Sequence, residues 1–237
     1  MSAMPSFSNS PSKRGKKTLY IIHGWTYSVE PWQKTLALLE KSGVNVKMLH
    51  VPGLTSPSEK IWTIDDYVAW ANKNLPEDAI ALGHSNGGRI LLNLCSKNPT
   101  KLARLILLDS AGVYEPSKKR DLLKKLSKLG APLKKLPLME KIFHKLIGAS
   151  DYDRAPENMK KTLSNMLESD KRLVLASVVT PTKILWGEND TITPPRQARV
   201  LKSKLPNSSL KIYKNWTHAP YISDPAGLAK AILEALK

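Results

Sequence analysis

Ala79-Ile80-Ala81-Leu82-Gly83-His84-Ser85-Asn86-Gly87-Gly88 is the stretch whose reading decides the fold. Ala79 to His84 is a short apolar run of strand length, and Asn86 to Lys97 reads as a helix. Between them lies a G-x-S-x-G pattern. Glycines on each side of the serine permit a strand-to-helix reversal so tight that side chains there would strike the adjacent strand and helix. Such a turn pushes the Ser85 hydroxyl out above the sheet. The same spacing on an irregular loop would be an incidental serine, and the strand before it and the helix after it favour the strained turn.

Working outward, strands and helices alternate. Thr18 to His23 is an Ile-rich strand closed by Gly24, Pro31 to Ser42 a helix stopped by Gly43, and Val44 to Val51 a strand ending at Pro52-Gly53. Ile64 to Leu75 has apolar residues at helical spacing, with Asp65 and Asp66 in the first turn, where the helix dipole favours them. Arg104 to Asp109 is a fourth strand. After an interruption come a strand at Thr182 to Trp186, a helix from Pro194 to Leu205, a strand at Ser209 to Tyr213 and a last helix from about Asp224 to Leu236. Six strands separated by helices predict an α/β protein with a mainly parallel sheet and helices on both faces. Open sheets of this kind place ligands at the C-terminal ends of their strands.

Composition narrows the class. The chain has 237 residues, 41% of them hydrophobic and 24% charged, enough for one domain with a modest insertion. No apolar run reaches membrane-spanning length, and residues 1–11 lack the apolar segment of a secretory signal. Cys95 is the single cysteine, so neither an intrachain disulfide nor a cysteine zinc site is expected, and a reducing cytoplasm suits the chain. The formal net charge is +17, a statement about partners and not about fold. Between Ser117 and Lys161 thirteen Lys and Arg face five Asp and Glu. Lys13, Arg14, Lys16 and Lys17 make residues 1–17 a basic, solvated tail.

A serine hydroxyl is a poor nucleophile unless a base accepts its proton, and the base must be oriented by a third group. Of five histidines, His23 and His84 sit beside glycines at strand ends, His50 at another strand end and His144 in the basic insertion. His218 lies in the loop Asn215-Trp216-Thr217-His218-Ala219-Pro220 after the last strand, at the edge where loops can reach Ser85. Two carboxylates compete for the third role. Asp190 ends Trp186-Gly187-Glu188-Asn189-Asp190 after the fifth strand, and Asp109 ends the fourth, where it could equally be a turn-forming or capping residue.

With these pieces in place the chain resembles the α/β-hydrolase superfamily over nearly all of residues 18–237. The matching segments are His23-Gly24-Trp25, the turn around Ser85, Leu108-Asp109-Ser110-Ala111-Gly112, the WGEND segment and the His218 loop. The resemblance implies Ser85 as nucleophile, His218 as general base and acid, Asp190 as the group fixing the imidazole, and an oxyanion hole from the backbone N–H groups of Trp25 and Asn86. Asn86 opens a helix whose free N–H groups suit a developing negative charge. The Trp25 ring is either a wall of the acyl pocket or ordinary packing. An Asp at the elbow marks the dehalogenase and epoxide hydrolase branches, so the serine points to ester cleavage. Lactone, thioester, amide, carbon–carbon bond and perhydrolase chemistry stay open.

The sequence departs from the family pattern in lacking an antiparallel hairpin before Thr18, which leaves a sheet of about six strands. Residues 18–113 and 180–237 form the expected core, and 114–179 falls where relatives insert a helical cap. Three apolar faces mark that insertion: Leu122, Leu123, Leu126 and Leu129; Ile142, Phe143, Leu146 and Ile147; Met159, Leu163, Met166 and Leu167. No cofactor or metal is implied, and the expected partner is a small ester-like substrate.

Two other classes compete with an enzyme. A nucleic-acid binder would suit the charge, but the lysines lack interleaved aromatics, only 6% of the chain being aromatic. A catalytically silent module shares the fold, but all three triad positions carry competent residues. Lysines near a cleft raise the local concentration of anionic ligands, an effect screened over a Debye length of about 10 Å at 0.1 M salt. If the basic insertion steers substrates, only a carboxylate-bearing ester should lose kcat/KM with added salt, and changing Lys118, Lys119, Lys124 and Lys125 to Gln should remove the same advantage. Identical salt profiles for neutral and anionic esters would make these lysines a solvated face.

Overall fold

The computed structural model describes residues 18–114 and 155–237. Expectations for the tail at 1–17 and for the insertion between 115 and 154, including its first two apolar faces, lie outside the described residues. Strands β1 (Thr18–Ile22), β2 (Asn45–Leu49), β3 (Ala79–His84), β4 (Leu102–Leu108), β5 (Thr182–Gly187) and β6 (Ser208–Tyr213) form one sheet. Its order is β2-β1-β3-β4-β5-β6, and every neighbouring pair is parallel. The chain moves from β1 out to β2, then returns past β1 to lay down β3 to β6 in sequence. The reversal between β1 and β3 opens a crevice at the C-terminal strand ends, where parallel sheets bind ligands.

Alternate strand residues supply two cores, as a strand's period of two requires. Ile22, Ala81, Leu105, Leu107, Ile184 and Trp186 face one side, and Leu19, Ile21, Leu82, Ile106, Leu108 and Leu185 the other. The first core is covered by α2 (Ile64–Asn74), α3 (Asn86–Lys97), α4 (Glu157–Ser169) and α5 (Pro195–Lys204). A 3-10 turn at Glu30–Trp32, α1 (Gln33–Lys41) and, after the short α6 (Pro220–Ser223), α7 (Pro225–Ala235) cover the second. Burial on both faces accounts for the near-continuous apolar runs of the central strands.

Local chemistry sets the boundaries. Thr63 caps α2: its hydroxyl accepts the Asp66 N–H while the Asp66 carboxylate accepts the Thr63 N–H. Asp66 therefore does more than favour the dipole. The strand expected to reach Val51 stops at Leu49, because the Val51 N–H donates to the Thr55 hydroxyl and its carbonyl accepts from Leu54, Thr55 and Ser56 in a turn. The fourth strand begins at Leu102 and ends at Leu108, since Asp109 has a φ of 44°. The last helix is preceded by α6, and the break at Asp224 follows from Pro225, which cannot continue a helix.

Of the inserted segment, α4 is described, and Met159, Leu163 and Met166 are buried along one side as its spacing predicts. It is pinned to the loop before α2, where the Thr162 hydroxyl accepts the Trp62 N–H at 2.9 Å and Asn165 Nδ2 donates to the Trp62 carbonyl at 3.1 Å.

The reversal between β3 and α3 is as tight as its glycines suggest. A Cβ on Gly87 would lie 2.0 Å from the Ile22 carbonyl oxygen, and one on Gly83 2.6 Å from Gly88 Cα. Both obstructions are backbone, so neither can swing aside. Gly87→Ala should therefore push α3 away from β1 and lower stability by about 1–3 kcal/mol, read from the midpoint of urea unfolding.

Candidate active site

Ser85 stands at the apex of that reversal with φ 50° and ψ −117°. Holding a non-glycine residue there costs about 1–3 kcal/mol and needs surroundings that over-determine it. They do so: the Ser85 N–H donates to the Leu108 carbonyl at 3.1 Å, and the Ser85 carbonyl accepts from Gly88 at 3.0 Å and Ala111 at 2.9 Å. The hydroxyl is aimed at the loop after β6, where Ser85 Oγ lies 3.0 Å from His218 Nε2. On the far side of the ring His218 Nδ1 lies 2.8 Å from Asp190 Oδ2. With Nδ1–H donating to the carboxylate, Nε2 is free to accept the serine proton.

Asp190 is held from four directions. Its Oδ1 accepts the N–H groups of Ile192 at 2.7 Å and Thr193 at 2.9 Å, and its Oδ2 accepts the Thr193 hydroxyl at 2.6 Å besides His218. Burial alone would raise its pKa, but the hydrogen bond and charge of His218 and the Thr193 donors outweigh burial and hold the carboxyl below its ordinary value.

Asp109 takes no part in this chain of contacts. Its left-handed backbone turns the side chain inward, where Oδ1 accepts the Gly187 N–H at 2.7 Å and Oδ2 is buried without a hydrogen-bond partner. Burial first, and then the neighbouring Asp190 charge, push its pKa well above the ordinary carboxylate value, against the Gly187 hydrogen bond.

Two further histidines are structural. His84 is buried, and its Nε2–H donates to the His218 carbonyl at 2.8 Å, fixing the loop that carries His218. Desolvation, reinforced by the His218 charge, lowers its pKa to about 3. His23 Nδ1–H donates to the Gly24 carbonyl and Nε2 accepts from the Thr55 hydroxyl at 2.7 Å; burial lowers this group to about 4. Both rings are neutral at pH 7.

Trp25 and Asn86 flank Ser85 at a cavity of about 30 Å³, shared with Arg89, Ala111, Leu163, Leu167, Ile192 and Thr193. That is room for about one water. Among the described residues, the backbone N–H groups of Trp25 and Asn86 donate to no protein acceptor. Trp25 lines this cavity and belongs to the first hydrophobic core. Among the described residues no group of His, Cys, Asp and Glu could hold a metal, and no helix is long and apolar enough to cross a membrane.

Several residues of the site were not found from sequence. Arg89, four positions after Ser85, donates from Nε and Nη2 to the Asp170 carboxylate at 2.7 and 2.9 Å and from Nη1 to Asn86 Oδ1 at 2.6 Å. All three residues are buried, and removing one partner of such a pair costs about 3–5 kcal/mol. Thr193 and the loop-fixing role of His84 were likewise missed.

Asp109→Asn preserves the acceptor for Gly187 and replaces an ionisable oxygen with a neutral donor. A carboxyl whose folded pKa is raised contributes its full stability below the unfolded value near 3.8 and loses it as pH rises toward the folded value. Urea unfolding at several pH values should therefore find the Asn variant matching the parent near pH 4 and gaining on it as pH increases toward 8.

Residues 17–131 match the family model described as the alpha/beta hydrolase fold. A pimeloyl-[acyl-carrier protein] methyl ester esterase of Nitrosospira multiformis is 24% identical over 87% of this chain and 89% of its own length. Among solved structures, a thermophilic esterase from Thermogutta terrifontis superposes with a TM-score of 0.65 at 20% identity, covering 94% of this chain and 90% of that one. A probable hydrolytic enzyme from Pseudomonas aeruginosa gives 0.68 at 19%, covering 96% and 87%. Six parallel strands in this order, the strained serine between β3 and α3 and these likenesses show that the chain has the α/β-hydrolase fold.

Proposed function

We propose that the protein is a serine hydrolase that cleaves carboxylic esters through an acyl-enzyme, with Ser85 as nucleophile, His218 as general base and acid, and Asp190 as the group that orients and charges against the imidazole. The observation that carries this reading is the continuous line of hydrogen bonds from Ser85 Oγ through His218 to Asp190, 3.0 and 2.8 Å long. His218 Nε2 takes the hydroxyl proton as Oγ attacks the ester carbonyl carbon. The oxyanion that forms is held by the N–H groups of Trp25 and Asn86 at the positive end of α3. The tetrahedral species collapses as the imidazolium returns its proton to the leaving alcohol, and water then repeats both steps on the acyl-enzyme.

Residues 18–113 and 180–237 act as the catalytic core and 114–179 as its cap, supported by the position of Leu163 and Leu167 of α4 on the cavity beside Ser85. The N. multiformis relative is named for a methyl ester of an acyl chain on acyl-carrier protein. By that likeness the substrate class is an ester of a small alcohol, and the net charge of +17 favours an anionic acyl group or carrier. The lone Cys95, buried in α3, fits work in the reducing cytoplasm.

Ser85→Ala should abolish both turnover of a short-chain p-nitrophenyl ester and labelling by a fluorophosphonate probe while unfolding as cooperatively as the parent. A kcat within tenfold of the parent would remove Ser85 from its role. Asp190→Asn should lower kcat by roughly 10⁴, as loss of the orienting carboxylate does in such triads. A larger loss in folded Asp109→Asn would move the acid to the end of β4.

A further inference from the structure

Building on the roles just proposed for Asp190 and His218, we infer that Thr193 is a positioning residue for the reaction, its hydroxyl fixing Asp190 Oδ2 in the orientation and charge that His218 requires. Thr193 is buried in the loop between β5 and α5, three residues after Asp190. Its Oγ1 lies 2.6 Å from Asp190 Oδ2, 3.1 Å from the Asp109 carbonyl oxygen and 3.2 Å from His218 Nδ1.

The hydroxyl has one hydrogen, and the chemistry of its neighbours decides where it goes. Asp190 Oδ2 and the Asp109 carbonyl only accept, whereas His218 Nδ1 carries the proton that it donates to Asp190. Two oxygens 2.6 Å apart with no hydrogen between them would repel, so the hydroxyl donates to the Asp190 carboxylate, in the distance range of charge-assisted O–H···O⁻ bonds. Its lone pairs then face the Nδ1–H of His218, giving that proton a second, weaker acceptor.

Thr193 is itself immobilised. Its N–H donates to Asp190 Oδ1, and its carbonyl accepts the Trp186 indole N–H at 2.8 Å. Oδ1 is thus served by main-chain donors alone, which no side-chain change removes, while Oδ2 depends on His218 and one hydroxyl. Thr193→Val keeps the branched shape and deletes only that hydroxyl.

Several titratable groups surround the imidazole and its carboxylate. His218 faces Ser85 from the β3–α3 turn, Asp190 and Thr193 from the loop after β5, and the His84 ring of β3 at 5.0 Å, behind which lies Tyr221 of α6. His84 is lowered to about 3 by burial and Tyr221 raised to about 12, also by burial, so neither changes charge between pH 5 and 9. Asp109, at the end of β4, is buried and interacts with Asp190, whose charge helps raise its pKa, so pH profiles are also taken in an Asp109→Asn background, which removes its titration. A carboxylate deprived of one donor holds more negative charge against the imidazolium, which raises the pH at which the base loses its proton.

The test compares steady-state kinetics on one p-nitrophenyl ester for the parent, Thr193→Val, Thr193→Ser and both Thr193 forms in an Asp190→Asn background. Thr193→Val is expected to lower kcat about tenfold with KM within about twofold, and to move the acid limb of kcat/KM upward by about half a pH unit. Thr193→Ser is expected to restore both. In the Asp190→Asn background the Val substitution should change kcat by less than about twofold, since the hydroxyl acts through the carboxylate. Parental kinetics in Thr193→Val, or a loss of kcat with an unmoved acid limb and no rescue by Ser, overturns the proposal and leaves Thr193 a packing residue. An Asp190→Asn enzyme as fast as the parent would instead overturn the role of Asp190, and the inference for Thr193 with it.

Discussion

Contact between the first turn of α3 and the end of β1, at a separation that admits no side chain at Gly87, is the constraint on which the rest of the molecule depends. Helix and strand this close leave the connecting residue a single course, through the left-handed region, and Ser85 occupies it. The strain is balanced by hydrogen bonds with Leu108 of β4 and with Ala111 just after it, so the serine that ends β3 is also held by the neighbouring strand. A hydroxyl placed in this way needs no movement of its own to meet His218 Nε2, which is the economy of a rigid scaffold carrying polar loops.

Around that fixed point the other groups arrive on loops, and each loop is disciplined by a polar contact with its neighbours. His84, next to the serine in sequence, holds the carbonyl of His218 and so ties the β6 loop to β3. Asp109 holds the Gly187 N–H and so ties β4 to the segment leading to Asp190. These two buried groups are easily mistaken for catalytic residues, a histidine beside Ser85 and an aspartate at a strand end. Desolvation accounts for their restraint: it keeps the His84 ring neutral and pushes the Asp109 carboxyl above its ordinary pKa, while each side chain is engaged in bracing a loop.

The central strands were legible because both of their faces are buried, which writes an unbroken apolar run into Leu105 to Leu108 and Ile184 to Trp186. Ser85 was legible because a tight turn demands glycines at defined offsets. Strand ends were not, since Val51 leaves the sheet through a hydroxyl contact with Thr55 that no hydropathy pattern records. Asp109 and Asp190 looked alike for a related reason: both follow strands, and only the structure shows Asp109 with a positive φ and its carboxylate engaged by the Gly187 N–H. The Arg89–Asp170 pair joins positions 81 apart, and nothing local at either one announces the other.

That ion pair has a bearing on how such a protein diversifies. Asp170 lies immediately after α4, before the chain rejoins the sheet at β5, and its partner stands on α3 one turn beyond Ser85. The stretch between β4 and β5 is therefore moored at Asp170. That contact registers the end of α4 against the turn that carries Ser85. A graft that brings a different cap while keeping α4 and Asp170 preserves the wall formed by Leu163 and Leu167, whereas one that cuts after Asp170 strands the guanidinium of Arg89 in the interior.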